Sequence, residues 1–218
     1  MDARDEILGR LRGKARPVEQ LPAWRSRRRF NDLAERFAAA LTAAHGEVLR
    51  AGSLEEALGL VDTVLAELGA QKVVANAEPP LADLDLPGRW PDIQWHVAGN
   101  SQGSLRDFCA TADIGLSGAD AALAETGTVV VSSGPGQSRL ATLLPPVHLA
   151  VVPASRLTTD VFTWAAARQG DHKGTPLPAN VVLISGPSKT ADIEQTMAIG
   201  VHGPKRFIVV LYDGEIGD

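Results

Sequence analysis

Val181-Val-Leu-Ile-Ser-Gly-Pro-Ser-Lys-Thr-Ala-Asp-Ile-Glu194 opens as an apolar, β-branched run and breaks at Gly186-Pro187. The run predicts a strand and the break predicts its end. Small hydroxyl residues then precede acidic ones, the order found at a helix N-terminus. The spacing therefore predicts strand, loop and helix, with Thr190 as N-cap and Asp192 and Glu194 in the first turn. Gly200-Val-His-Gly-Pro204 closes that helix, and Phe207 to Tyr212 is the next apolar strand. Open α/β sheets place ligands beyond the carboxyl ends of their strands. Ser188, Lys189 and Thr190 are thus expected at such an edge, where hydroxyls, an ammonium and helix N–H groups suit a carboxylate or phosphate.

Outward from this unit the same alternation recurs. Phe30, Leu33, Ala34, Phe37, Ala38 and Leu41 repeat at helical spacing, ended by Gly46. Glu47 to Arg50 reads as a short strand. Ser53 and Glu56 form a capping box for a helix that runs to about Leu68 and stops at Gly69. Lys72 to Asn76 and Ile93 to Val97 are further strands, as are Thr128 to Val131 and His148 to Val152, and a helix spans about Thr159 to Gln169. The resulting fold class is α/β, with a mainly parallel sheet. Residues 1–29 read separately, as a helix (2–13) and a basic arm carrying Arg25, Arg27, Arg28 and Arg29. The arm is a solvated face, or else it packs on a partner or over an anionic ligand. Residues 30–218 form the α/β domain.

The 218 residues are 44% apolar and 22% charged, enough for one large domain, and the net charge of −5 gives no nucleic-acid footprint. No apolar run approaches the ~20 residues that span a bilayer. The charged N-terminus lacks a signal-peptide core, which predicts a cytoplasmic protein. Cys109 is the single cysteine, so neither an intrachain disulfide nor a Cys₄ iron–sulfur site can be built from this chain. It reads as a small buried apolar residue.

Chemistry-bearing residues gather in glycine-rich breaks. Glu125-Thr-Gly-Thr128 puts a carboxylate beside a glycine before a strand; Glu125 there suits a nucleophile or general base, or a carboxylate satisfying backbone donors in a turn. Gly134-Pro-Gly136 follows a strand like a dinucleotide fingerprint, but Arg139 stands where its third glycine would. An ordinary turn results, with Arg139 available to an anion. Ser188-Lys189-Thr190 lacks both glycines of a phosphate loop. Among five histidines, His202 lies between glycines that free a loop to present it, and no His spacing suits a dedicated zinc site.

Thr111-Ala-Asp113, Gly118-Ala-Asp-Ala-Ala-Leu-Ala-Glu-Thr-Gly-Thr128, Leu144-Pro-Pro-Val-His148, Gly186 to Glu194 and Gly200 to Pro204 together resemble the lactate-utilisation protein C family, whose shared module is the LUD domain. The resemblance covers roughly residues 30–212. It implies a three-layer α/β/α domain similar to the glucosamine-6-phosphate deaminase, ribose-5-phosphate isomerase and CoA-transferase group. It also implies a part in oxidising L-lactate to pyruvate beside two iron–sulfur partner proteins. Those partners, and not this chain, would hold the clusters. The expected ligand is a small anionic metabolite or a cofactor whose identity the sequence leaves unknown. Glu125 and His202 are then the candidate acid/base pair. Gly127, Thr128, Arg139, Ser188, Lys189 and Thr190 are the candidate ligand contacts. Two other readings stand beside this one: a non-catalytic assembly or regulatory subunit, and, by fold analogy alone, a stand-alone sugar-phosphate isomerase or CoA-transferase.

Overall fold

The computed structural model describes residues 3–14, 24, 26–171, 178–193 and 196–214. Its elements, in chain order, are α1 (Ala3–Lys14), α2 (Leu33–Ala43), β1 (Glu47–Ala51), α3 (Leu54–Glu67), β2 (Lys72–Ala75), α4 (Leu86–Arg89), β3 (Gln94–Val97), α5 (Leu105–Cys109), β4 (Ile114–Ser117), β5 (Ala121–Leu123), β6 (Thr128–Ser133), α6 (Arg139–Leu143), β7 (Val147–Pro153), β8 (Leu157–Thr158), α7 (Val161–Asp171), β9 (Asn180–Ile184), β10 (Lys189–Ile193), β11 (Thr196–Ile199) and β12 (Arg206–Tyr212). Six strands form one sheet in the order β1-β12-β7-β4-β2-β3, with every pairing parallel. The inner strands of this sheet bury both faces and read as apolar runs, such as Phe207 to Leu211 in β12.

Side-chain alternation divides the core in two. Leu149, Val151, Ile208 and Val210 pack with Leu58, Val61 and Leu65 of α3 on one face. Ala150, Val152, Phe207 and Val209 pack with Phe37 and Leu41 of α2 and with Ala122, Val129 and Val131 on the other. Cys109 joins Val74, Ala112 and Ala141 beneath α5 and α6, where burial lifts its thiol to about 11. The result is the expected three-layer α/β/α arrangement around a parallel sheet. Helix α3 is capped by Ser53, whose Oγ accepts from Glu56 N, while Glu56 Oε2 accepts from Gly52 N at 2.7 Å. The reciprocal bond thus reaches one residue further back than in the simple box.

The small-residue middle of the chain builds a second sheet, β8-β5-β6-β9, laid over the parallel one. In this middle stretch, from β4 of the parallel sheet to the turn before β6, small side chains are required because backbones approach closely. A Cβ on Gly115 would sit 1.7 Å from Ala141 O of α6, and one on Gly127 (φ +62°) would sit 2.2 Å from Leu41 N of α2.

Two expectations for the C-terminal unit are corrected. First, β9 belongs to the second sheet, antiparallel to β6, and not to the parallel one. Second, the chain after Gly186-Pro187 forms no helix. It is the hairpin β10–β11, with an irregularity between Thr190 and Ile193. Thr190 is therefore a strand residue paired with Ala198, and no helix N-terminus exists there to hold an anion. The β-branched residues at 190, 193, 196 and 199 favour strands. Backbone bonds from Ser188 N to Pro204 O and from Gly200 N to Ser188 O close the base of the hairpin. Glu194 lies outside the described residues.

Candidate functional site

A parallel sheet has two unlike edges, and the chain reverses its direction of travel across this one between β2 and β4. From β2 it moves outward to β3, past α4 on the α3 face. From β4 it moves the other way to β7 and then β12, by way of the second sheet on the opposite face. Adjacent strands whose connections leave in opposite directions open a crevice at their carboxyl ends. Asn76 and Glu78 follow β2 there, and Gly118 and Asp120 follow β4.

Glu78 is 5% exposed and Asn76 fully buried. Each is held by one backbone donor: Gly118 N donates to Glu78 Oε1 at 2.8 Å, and Ser138 N donates to Asn76 Oδ1 at 2.9 Å. Their remaining atoms, Glu78 Oε2 and Asn76 Nδ2, are buried with no hydrogen bond formed among the described residues. Burial raises the Glu78 carboxyl from 4.5 to about 7; the Gly118 N–H and the nearby Asn76 carboxamide oppose the rise, and the Asp120 charge adds to it. Asp120 accepts from Ser132 Oγ and faces Arg168 at 4.0 Å, and its carbonyl accepts from Arg156 at 3.3 Å.

The residues singled out from the sequence separate between the two edges. Arg139 is exposed at the start of α6 on the carboxyl side. It lines a groove of about 470 Å³ with Ser133, Gln137, Ser138 and Asn180. Ser188 and His202 instead line a cleft of about 200 Å³ with His148, Val182, Ser185 and Phe207. His148 and Phe207 open β7 and β12, so this cleft lies at the amino end of the sheet, opposite the edge expected for Ser188. The physical cause is the antiparallel pairing of β9 with β6, which delivers Ser185 and the residues after it to that end.

Thr128 is nearly fully buried, and its Oγ1 lies 2.6 Å from Thr126 Oγ1 and 2.7 Å from Ser185 Oγ. This hydroxyl relay joins the turn that carries Glu125 to the His202 cleft. Glu125 itself is not among the cleft's lining residues. Its carboxylate pairs with Arg28 Nε at 2.9 Å, so the basic arm folds back onto its own chain; Arg25 lies outside the described residues. Gly127 meets α2, and Lys189 Nζ donates to Ala44 O at the end of α2, where a cation suits the helix dipole. Nothing is described of the Thr190 side chain.

His148, fully buried, stacks on Phe207 at 5.0 Å and lies 2.8 Å from Ser117 Oγ through Nε2. Ser117 Oγ also lies 2.9 Å from Gly118 O, to which it can donate. Burial drives His148 down to about 3, which keeps it neutral. Both side chains are fully buried, and the His148 ring forms part of the inner wall of the amino-end cleft.

Sequence reasoning passed over Asn76, Glu78 and Asp120. The available signal was Asn76-Ala-Glu78 directly after an apolar strand: two polar residues at the carboxyl end of a parallel strand, where open α/β sheets take their ligands. Among the described residues no group of three or more His, Cys, Asp or Glu is placed to hold a metal ion, and no helix is long and apolar enough to cross a membrane.

Fold and crevice together define an open α/β protein whose parallel sheet carries a buried, polar switch point. The family follows from comparison with known proteins. The LUD domain model matches residues 34–212, and the chain belongs to that family. A lactate utilization protein C of Halalkalibacterium halodurans is 38% identical over 160 residues, covering 69% of this chain and 67% of the relative. One from Geobacillus kaustophilus is 31% identical over 216 residues, covering 92% and 89%. With other bacterial relatives the match spans as little as 44% of the relative's length. The crystal structure of a DUF162 family protein from Deinococcus radiodurans superposes with a TM-score of 0.54 at 21% identity, covering 83% of this chain and 96% of that one.

Proposed function

We propose that this chain is a subunit of a lactate-utilisation system, acting in the oxidation of L-lactate to pyruvate beside iron–sulfur partner proteins. The observation that carries the reading is the set of relatives named lactate utilization protein C, one of them aligned over 92% of this chain. Oxidation of a hydroxy acid removes two electrons and two protons. With a single cysteine, this chain cannot itself supply a Cys₄ cluster, so the electrons go to its partners. Its own task is to bind a small anionic metabolite or cofactor at the carboxyl edge of the sheet. Arg139 stands beside the Ser138 N–H that holds Asn76 and supplies positive charge at that edge. His202 and Ser188 serve the opposite cleft as polar contacts, with Glu125 coupled to it through the Thr126–Thr128–Ser185 hydroxyls.

The test has two parts. A strain lacking this chain should lose growth on L-lactate and regain it when the gene is restored. The purified protein should show ligand-dependent thermal stabilisation with L-lactate or pyruvate. Normal growth of the deletion strain would end the reading. Loss of growth without any ligand stabilisation, but with co-purification of the iron–sulfur proteins, would assign the chain to assembly of the system instead.

A further inference from the structure

From the paired free atoms at the switch point, we infer that Glu78, in its protonated form, and Asn76 are a two-donor anchor for one oxygen of a small carboxylate. This deepens the reading above, on which it rests. Both residues follow the carboxyl end of β2, two positions apart, and the Asn76 carboxamide lies close enough to Glu78 to act on its carboxyl. Both are nine-tenths or more buried and each is fixed by one backbone N–H; despite that proximity, neither Glu78 Oε2 nor Asn76 Nδ2 completes a hydrogen bond among the described residues. A buried polar atom without a partner costs about 1–3 kcal/mol. Two of them side by side, where an open α/β sheet takes its ligands, fit a ligand oxygen that would satisfy both.

The sign of the partner follows from the charges. Asp120 faces Glu78 from the end of β4; Arg156 and Arg168 engage Asp120 from beyond β7 and from α7, and Arg139 stands on α6 next to Ser138. A second anion entering beside an ionised Glu78 would be repelled. A carboxyl that keeps its proton donates instead, as does the Asn76 amide. Burial favours that neutral form up to about pH 7. Binding of a carboxylate therefore takes up a proton above that pH.

The experiment is isothermal titration of the full chain with L-lactate and with pyruvate at pH values below and above 7, repeated in buffers of different ionisation heat. In the wild-type protein, affinity should fall about tenfold per pH unit above the Glu78 midpoint, with about one proton taken up per ligand. Glu78→Gln keeps the acceptor for Gly118 N–H and replaces the acid by a permanent amide donor. It should bind with no pH slope and no proton uptake. The wild-type proton count stands even where the variant fails to fold. Binding with a flat pH profile in the wild type, or with an unchanged slope in Glu78→Gln, overturns the anchor while leaving carboxylate binding intact. Binding of neither probe at any pH also overturns it, and growth on lactate then judges the wider role separately.

Discussion

Replacing Glu78 by Gln should make the protein more stable, and by an amount that depends on pH. The folded carboxyl is raised from 4.5 to about 7, chiefly by burial. A raised acid contributes stability that is fully present below its unfolded value and is lost as pH rises through the folded one. Each tenfold change in acidity is worth about 1.4 kcal/mol. Above pH 7, the wild-type fold therefore carries a penalty of at most ~3.4 kcal/mol for a buried carboxylate, and below about 4.5 it carries none. Glutamine keeps the bond to Gly118 N–H and cannot ionise, so it escapes the penalty. Urea unfolding of both proteins at a series of pH values reads the difference. With a slope of ~2 kcal/mol/M, the variant's midpoint should move up by as much as ~1.7 M at alkaline pH relative to acid pH. Any constant offset from burying an amide cancels in that comparison. A stability difference that stays flat across the range would show that Glu78 titrates as a solvated carboxylate, and the switch point as drawn would be wrong.

Other perturbations test the frame around it. Gly115→Ala places a methyl 1.7 Å from Ala141 O, and Gly127→Ala places one 2.2 Å from Leu41 N at φ +62°. Each should cost more than ~3 kcal/mol, seen as a large fall in melting temperature or as insoluble protein. His148 is held neutral far below its usual value, so wild-type stability should decline as pH falls below about 6.5, by at most ~1.4 kcal/mol per pH unit, and His148→Gln should remove that slope in acid urea melts. Thr128→Val cuts the hydroxyl relay and should cost about 1–2 kcal/mol in the same assay. Arg28→Ala breaks a half-exposed pair with Glu125 and should cost less than ~1 kcal/mol.

The parallel strands β7 and β12 were legible because a strand buried on both faces reads as an apolar run, as in Leu149 to Val152 and Phe207 to Leu211, whereas β4, Ile114-Gly-Leu-Ser117, is too short and too rich in small residues to stand out. Helix ends were legible at Ser53, where a side chain satisfies a local backbone donor. At the end of α2 the left-handed residue is His45 (φ 67°), one position before the glycine expected to stop the helix. The segment after Gly186 misled because hydroxyl residues followed by acids suit a helix start as well as a hairpin. Bonds to Pro204 and between β10 and β11 decided the matter.

Composition and pattern alone determined the α/β class, the single cysteine, the family and the glycine-rich breaks that carry polar groups, since each rests on residue type and local spacing. Tertiary structure alone decided which edge each break occupies. The direction of β9 sent Ser188 and His202 to the amino end. The reversal of travel between β2 and β4 brought Asn76 and Glu78 against Gly118 and Asp120, some forty residues on. Desolvation made Glu78 an acid of about 7, and burial depends on what the rest of the chain lays over a residue, which no neighbour in sequence encodes.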